Sequence, residues 1–162
     1  METERKWLIE EKNIPYDLNK AEKHSLVQAY LCFTPTVRVR SIDAEKFILT
    51  VKAPPLKGTK DLSREEFETE LSRESYELLL KKHEGAVIEK TRYVIRRPDG
   101  LTEEIDIFEG ELKGLAYLEI EFETEGQALA FPAPAWVTRE VTFEKGYTNG
   151  ALARHGMPRF TL

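Results

Sequence analysis

The sequence predicts an α+β fold that is mainly β: an antiparallel sheet closed or nearly closed into a barrel, with a few helices at its periphery. Three observations predict it. Nine short stretches alternate apolar and polar residues with period 2, the pattern of strands that bury one face. Only one stretch carries a clear helical pattern. The 162 residues suit a single domain, 1–162, long enough to bury a substantial core.

In chain order, strands are expected at 2–9, 26–33, 37–41, 46–52, 66–72, 87–95, 102–108, 116–123 and 140–143. Most are bounded by Gly, Pro, Asp or Asn, which supply turn geometry. Pro54-Pro55 and Lys57-Gly58-Thr59-Lys60 mark a loop after the fourth strand. Pro98-Asp99-Gly100 reads as a hairpin turn between the sixth and seventh. The clear helix is expected over 73–83. Ser72 would cap it, Leu78, Leu79 and Leu80 would form its apolar face, and Gly85 would stop it. Shorter helices are expected at 19–24, 125–130 and 149–155. Trp7 and Trp136 sit beside apolar or Pro-rich segments and are expected in the core.

Composition excludes several classes. Twenty-four basic and 29 acidic residues leave a net charge of −5. A duplex-binding protein would carry a basic excess, so no nucleic-acid partner is expected. A small anionic ligand remains compatible, because local placement matters more than the sum. No run of about 18 apolar residues exists, and the first six residues lack the apolar core of a signal peptide. Neither a membrane nor export is expected. The single cysteine, Cys32, lies in an apolar run and is expected to be a buried thiol in a reducing cytoplasm. His24, His83 and His155 are scattered without ligand spacing and read as surface or capping residues. There is no Gly-x-x-x-x-Gly-Lys loop and no nucleophile elbow.

The unusual feature is that the polar strand faces are sorted by sign. Alternate residues share a face. Glu2, Glu4 and Lys6 share one. So do Arg38 and Arg40, with valines opposite, and Lys90 and Arg92. Lys52 ends the fourth strand. Glu66, Glu68 and Glu70 align, as do Glu104 and Asp106, and Glu119, Glu121 and Glu123. One such strand reads as a solvated face that keeps the protein soluble. Seven do not, because solubility favours mixed signs and like charges repel when enclosed. Two complementary sets follow. The cations Lys6, Arg38, Arg40, Lys52, Lys90 and Arg92 suit phosphates, since arginine forks grip phosphate oxygens and lysine adds a point charge. The carboxylates Glu2, Glu4, Glu119 and Glu121, with Asp106, Glu66 and Glu68 beside them, suit Mg2+ or Mn2+, hard cations that prefer oxygen.

Glu2-Thr3-Glu4-Arg5-Lys6 resembles the N-terminal Glu-x-Glu-x-Lys signature of the CYTH superfamily, the triphosphate tunnel metalloenzymes. Later blocks resemble family blocks in the same order: Val37-Arg38-Val39-Arg40, Leu49-Thr50-Val51-Lys52, Arg64-Glu65-Glu66-Phe67-Glu68, Glu89-Lys90-Thr91-Arg92-Tyr93, Ile105-Asp106 and Glu119-Ile120-Glu121. The tail, with Trp136, Glu140-Val141-Thr142 and Tyr147-Thr148-Asn149, continues the likeness over nearly the whole chain. Thr3 and Leu118 depart from the usual residues at their positions, both on the outward face.

The resemblance implies a closed eight-stranded antiparallel barrel, a triphosphate tunnel with its charges pointing inward. It implies a small-molecule triphosphate substrate: inorganic triphosphate, thiamine triphosphate, a nucleoside triphosphate or an RNA 5′-triphosphate. Small bacterial-type inorganic triphosphatases are the nearest pattern. By the same likeness Glu2, Glu4, Glu119 and Glu121, with Asp106, would hold metal, and Lys6, Arg38, Arg40, Lys52, Lys90 and Arg92 would bind phosphates. Lys6 and Tyr30 would form a proton-transfer or leaving-group pair. A second metal, or a glutamate among Glu66, Glu68 and Glu119, would orient or deprotonate water. A class IV-type adenylate cyclase and a non-enzymatic polyphosphate-binding module are the alternatives. The chain is expected as a monomer or a homodimer.

Overall fold

A computed structural model describes residues 2–54 and 63–158, without the side chains of residues 2, 63 and 64. Pro55 and the loop residues 57–60 singled out above lie outside the described residues, and so does the Glu2 side chain.

Ten strands run β1 Glu2–Leu8, β2 Glu22–Cys32, β3 Thr36–Ile42, β4 Lys46–Lys52, β5 Ser63–Arg64, β6 Glu66–Leu71, β7 Glu84–Arg96, β8 Thr102–Phe108, β9 Ala116–Glu121 and β10 Arg139–Glu140. Three α-helices are α1 Arg73–Leu80, α2 Glu125–Ala130 and α3 Asn149–His155. All pairings in the sheet are antiparallel, in the order β10-β1-β9-β8-β7-β2-β3-β4-β6. This sheet is not closed by a continuous ladder, so the expected closed ring of eight strands is corrected to a long curved path. Its ends approach through β5, which pairs Thr3 with Ser63 and Glu2 with Arg64, one residue before β6 begins.

Three apolar clusters fix the sheet. On the outer face, Trp7, Ile105, Leu118 and Ile120 pack beneath α2 and the segment containing Tyr16 and Trp136. Each fully buried isoleucine or leucine there contributes roughly 1.5–3 kcal/mol. A second outer cluster joins Ala29, Val39 and Phe47 to Tyr76, Leu79 and Leu80. The third lies on the inner face at one end. Leu8, Tyr30, Ile88, Phe108, Tyr117 and Tyr147 meet Leu152 and Ala153 of α3 there. It gives the enclosed space an apolar floor.

Several local expectations shift. The α1 helix ends at Leu80, with Lys81 as its C-cap; Ser72 caps its start by accepting from the Ser75 amide at 3.1 Å. Leu78 is exposed rather than part of the apolar face, because Tyr76, Leu79 and Leu80 meet the sheet. Gly85 is not the helix stop. It stands inside β7 with φ +70°, at the irregularity where β2 residues Gln28 and Tyr30 pair with Ile88 and Glu84. The helix expected at 19–24 is a single 3-10 turn, Leu18–Lys20, followed at once by β2, which captures residues 22–24 through pairing with β7. The strand at 140–143 shrinks to Arg139–Glu140. Cys32 is half-buried, not buried, because it ends β2 next to a turn. Among the described residues no helix is long and apolar enough to cross a membrane.

Candidate active site

Residues directly opposite one another on neighbouring strands share a face. The register therefore decides which charges meet. Glu4 faces Glu121, and Lys6 faces Glu119. Glu119 faces Glu104, and Tyr117 faces Asp106. Asp106 faces Arg92. Gln28 faces Arg40, and Tyr30 faces Arg38. Arg38 faces Thr50, and Thr36 faces Lys52. Lys52 faces Glu66, and Thr50 faces Glu68. One face of the sheet thus carries the described charged side chains that the alternation had grouped. Glu4, Arg38, Arg40, Lys52, Glu66, Glu68, Arg92, Glu119 and Glu121 line a cavity of about 530 Å3. A second cavity of about 440 Å3 shares Glu4, Arg38 and Lys52 with it and adds Lys6, Tyr30, Lys145 and Arg154. The two are compartments of one space.

At its base the charges rest on aromatic rings. Lys6 Nζ lies 4.8 Å from the centre of the Tyr117 ring, and Lys90 Nζ lies 5.3 Å from that of Phe108. Such stacking suits a desolvated ammonium. Lys90 Nζ meets Asp106 at 2.7 Å and donates to the Asn149 side-chain oxygen at 3.3 Å, so α3 reaches the base of the site. Arg92 meets Glu104 at 2.6 Å and lies 3.8 Å from Glu119. Lys6 and Glu119 form an ion pair at 3.4 Å without hydrogen-bond geometry. Lys6 also donates to the Tyr147 carbonyl at 3.4 Å. Tyr30, its expected partner, lines the same cavity and stacks on Phe33, ring centres 5.6 Å apart.

Enclosure sets the protonation states. Burial opposes the charge on Asp106, but Lys90 and Arg92 outweigh it and hold the carboxyl well below the usual range. Burial likewise opposes Glu119, which Lys6 and Arg92 hold down. Burial pushes Glu104 up, against the pull of Arg92. For the cations, burial pushes Lys90 down to about 7 in spite of Asp106. Burial opposes Lys6 too, yet Glu119, Glu4 and Asp106 raise it above ordinary lysine. Burial, then Arg38 and Arg92, push Arg40 down to about 9, still charged at neutral pH.

The donor set fits a hard divalent cation in type. Glu4 and Glu121 stand opposite each other, and Glu119 stands opposite Glu104, all offering oxygen. Among the described residues no three side chains of His, Cys, Asp or Glu already converge on one point. Asp106 differs from the other carboxylates: both its oxygens are engaged by Arg92, and one by Lys90 as well.

Several residues at the site carry no signal for it in the sequence, Lys145 and Arg154 among them. Glu104 was grouped with Asp106 by alternation but given no role. Gln28 lies two residues before Tyr30 on the same face, a neutral side chain that a search for charge passes over. Asn149 begins α3, and nothing in its local sequence ties it to Lys90.

An enclosed sheet face that sorts guanidinium and ammonium groups against clustered carboxylates defines a site for a polyanion handled together with cations. Comparison with known proteins agrees. The model of the CYTH domain matches residues 1–147. The inorganic triphosphatase of Nitrosomonas europaea is 39% identical over 151 residues, covering 90% of this chain and 95% of that one. That of Acetivibrio thermocellus is 39% identical over 137 residues, 82% of each chain. The solved structure of the inorganic triphosphatase NE1496 superposes with a TM-score of 0.63 and 34% identity, covering 93% of this chain and 96% of that one. The chain belongs to the CYTH domain family.

Proposed function

We propose that this protein is a divalent-metal-dependent triphosphatase that hydrolyses the terminal phosphate of inorganic triphosphate. The observation that carries the reading is the sorted charged face around one cavity, in a chain 39% identical to inorganic triphosphatases over most of its length.

Lys6, Arg38, Arg40, Lys52 and Arg92 hold the phosphate chain, and Lys90 adds its charge from beneath the cavity. Charges of this density gathered on one concave face stabilise a polyanion more than the same charges scattered over a surface would. Glu4 and Glu121, with Glu119 and Glu2, would hold Mg2+ or Mn2+. The metal supplies neutralisation of charge building on the phosphate oxygens. Glu66 or Glu68 orients a water and accepts its proton as the water oxygen bonds to the terminal phosphorus. The broken phosphorus–oxygen bond leaves its electron pair on the diphosphate, whose charge Arg38 and Arg40 take up. Lys6 lies between Glu119 and the Tyr117 ring, in the cavity that Tyr30 also lines, and is placed to serve the leaving oxygen. Asp106 acts as the anchor of Lys90 and Arg92.

The test is phosphate release from inorganic triphosphate, ATP and thiamine triphosphate, with and without Mg2+ or Mn2+, alongside an assay for cyclic AMP. Metal-dependent release, fastest from inorganic triphosphate, is expected. Cyclic AMP from ATP with no phosphate release from inorganic triphosphate would replace this reading with a cyclase.

A further inference from the structure

The cations of the site differ in what holds them. Lys6, Lys90 and Arg92 each meet a carboxylate. Arg40 is held by a neutral amide. Gln28 is fully buried in β2, directly opposite Arg40, and its Oε1 accepts from Arg40 Nε at 2.9 Å. Among the described residues the Gln28 Nε2 has no hydrogen-bond partner although it is buried. An unsatisfied buried donor costs stability, and an apolar side chain of the same size would avoid that cost. Packing alone therefore does not account for glutamine at this position.

An amide does what neither alternative can. A carboxylate at position 28 would pair with Arg40 and cancel the charge that a polyanion needs. An apolar residue would leave Nε without an acceptor and the guanidinium free to turn. A neutral acceptor on Nε fixes the plane of the group and leaves the two terminal nitrogens to grip phosphate bidentately.

We propose that Gln28 is a positioning residue for phosphate binding: it orients the Arg40 guanidinium toward the cavity while leaving its positive charge available to a triphosphate chain. This rests on the reading of the cavity as a triphosphate site.

The test uses the full chain and the variants Gln28→Met and Gln28→Glu. Binding of inorganic triphosphate is measured by calorimetry in chelator, and turnover is measured with Mg2+. Both variants are expected to melt within about 5 °C of the unaltered chain. Gln28→Met is expected to weaken binding about tenfold, the scale of one well-placed charge-assisted hydrogen bond. Its KM rises more than its kcat falls. Gln28→Glu is expected to bind more weakly still near pH 8. Its loss exceeds that of Gln28→Met, which brings no new charge, so the two variants rank by charge rather than by melting temperature. If the unaltered chain binds triphosphate and both variants bind it equally well, the inference is overturned while the function stands. Weakened binding that tracks a collapsed melting temperature, with Gln28→Glu no weaker than Gln28→Met, overturns it in favour of a structural role. An unaltered chain that neither binds nor hydrolyses triphosphate overturns both.

Discussion

Asp106 grips the guanidinium of Arg92 with both carboxylate oxygens, at 2.7 Å to Nε and 2.9 Å to Nη2. Because Lys90 meets the same carboxylate, one anion holds two buried cations in place. Replacing Asp106 with Asn removes the charge, leaving Lys90 without its ionic partner and Arg92 with Glu104 and Glu119 alone. A buried pair broken on one side costs about 3–5 kcal/mol. Urea unfolding is expected to show a loss of that size. A loss below about 1 kcal/mol would mean that water or the neighbouring glutamates compensate the pair.

Acid should unfold the protein through the same anions. Asp106 and Glu119 titrate below their ordinary range in the folded chain, and Glu140 does so through its hydrogen bond to Arg5. A depressed folded-state pKa contributes stability that is complete above the unfolded value, near pH 4, and is lost as pH falls through the folded one. The melting temperature is expected to fall steeply below about pH 4 in the unaltered chain. Asp106→Asn should start lower and fall less steeply. Parallel curves for the two proteins would remove Asp106 from the acid limb.

Gly85 carries a third prediction. A Cβ at this position would lie 2.5 Å from the Ala153 carbonyl oxygen of α3, on a backbone with φ +70°. Both the strain and the clash fall on backbone that cannot rotate away. Gly85→Ala should displace α3 and draw Asn149 from Lys90. The expected result is a destabilisation of about 1–3 kcal/mol with weakened triphosphate binding. Unchanged melting and unchanged affinity would show that α3 has room to shift.

The acidic corner can be tested by metal titration. Glu4→Gln and Glu121→Gln are expected to raise the Mg2+ concentration for half-maximal phosphate release by about tenfold or more, with the fold intact by circular dichroism. An unshifted Mg2+ requirement in both variants would place the metal elsewhere.

Much of this architecture was legible in the alternation of residues. Lys46–Lys52 and Thr102–Phe108 match their expected strands end to end, because each buries one face and turns at both ends. Period 2 grouped the charged residues from Glu4 to Glu121 by face, and the resemblance to the CYTH family turned those faces inward. How the two ends of the sheet meet was not legible, since it depends on the two residues Ser63 and Arg64 pairing with β1 far away in sequence. The mistaken helix at 19–24 shows tertiary pairing overriding local propensity. Asn149 and Gln28 escaped notice for a related reason. A neutral amide acquires its role only from the partner that the fold sets against it.

The alternation along β1 also bears on how such a chain can change length. Arg5 and Trp7 face outward, with Arg5 bonded to Glu140 and to two carbonyls near the end of α2, while Glu4 and Lys6 face the cavity. Deleting one residue between them would exchange the two sets, drawing the indole into the phosphate site and the ammonium into the outer core. A one-residue change of length within this strand would therefore cost the outer core and the site together, and the chemistry is bound there to a reading frame of two.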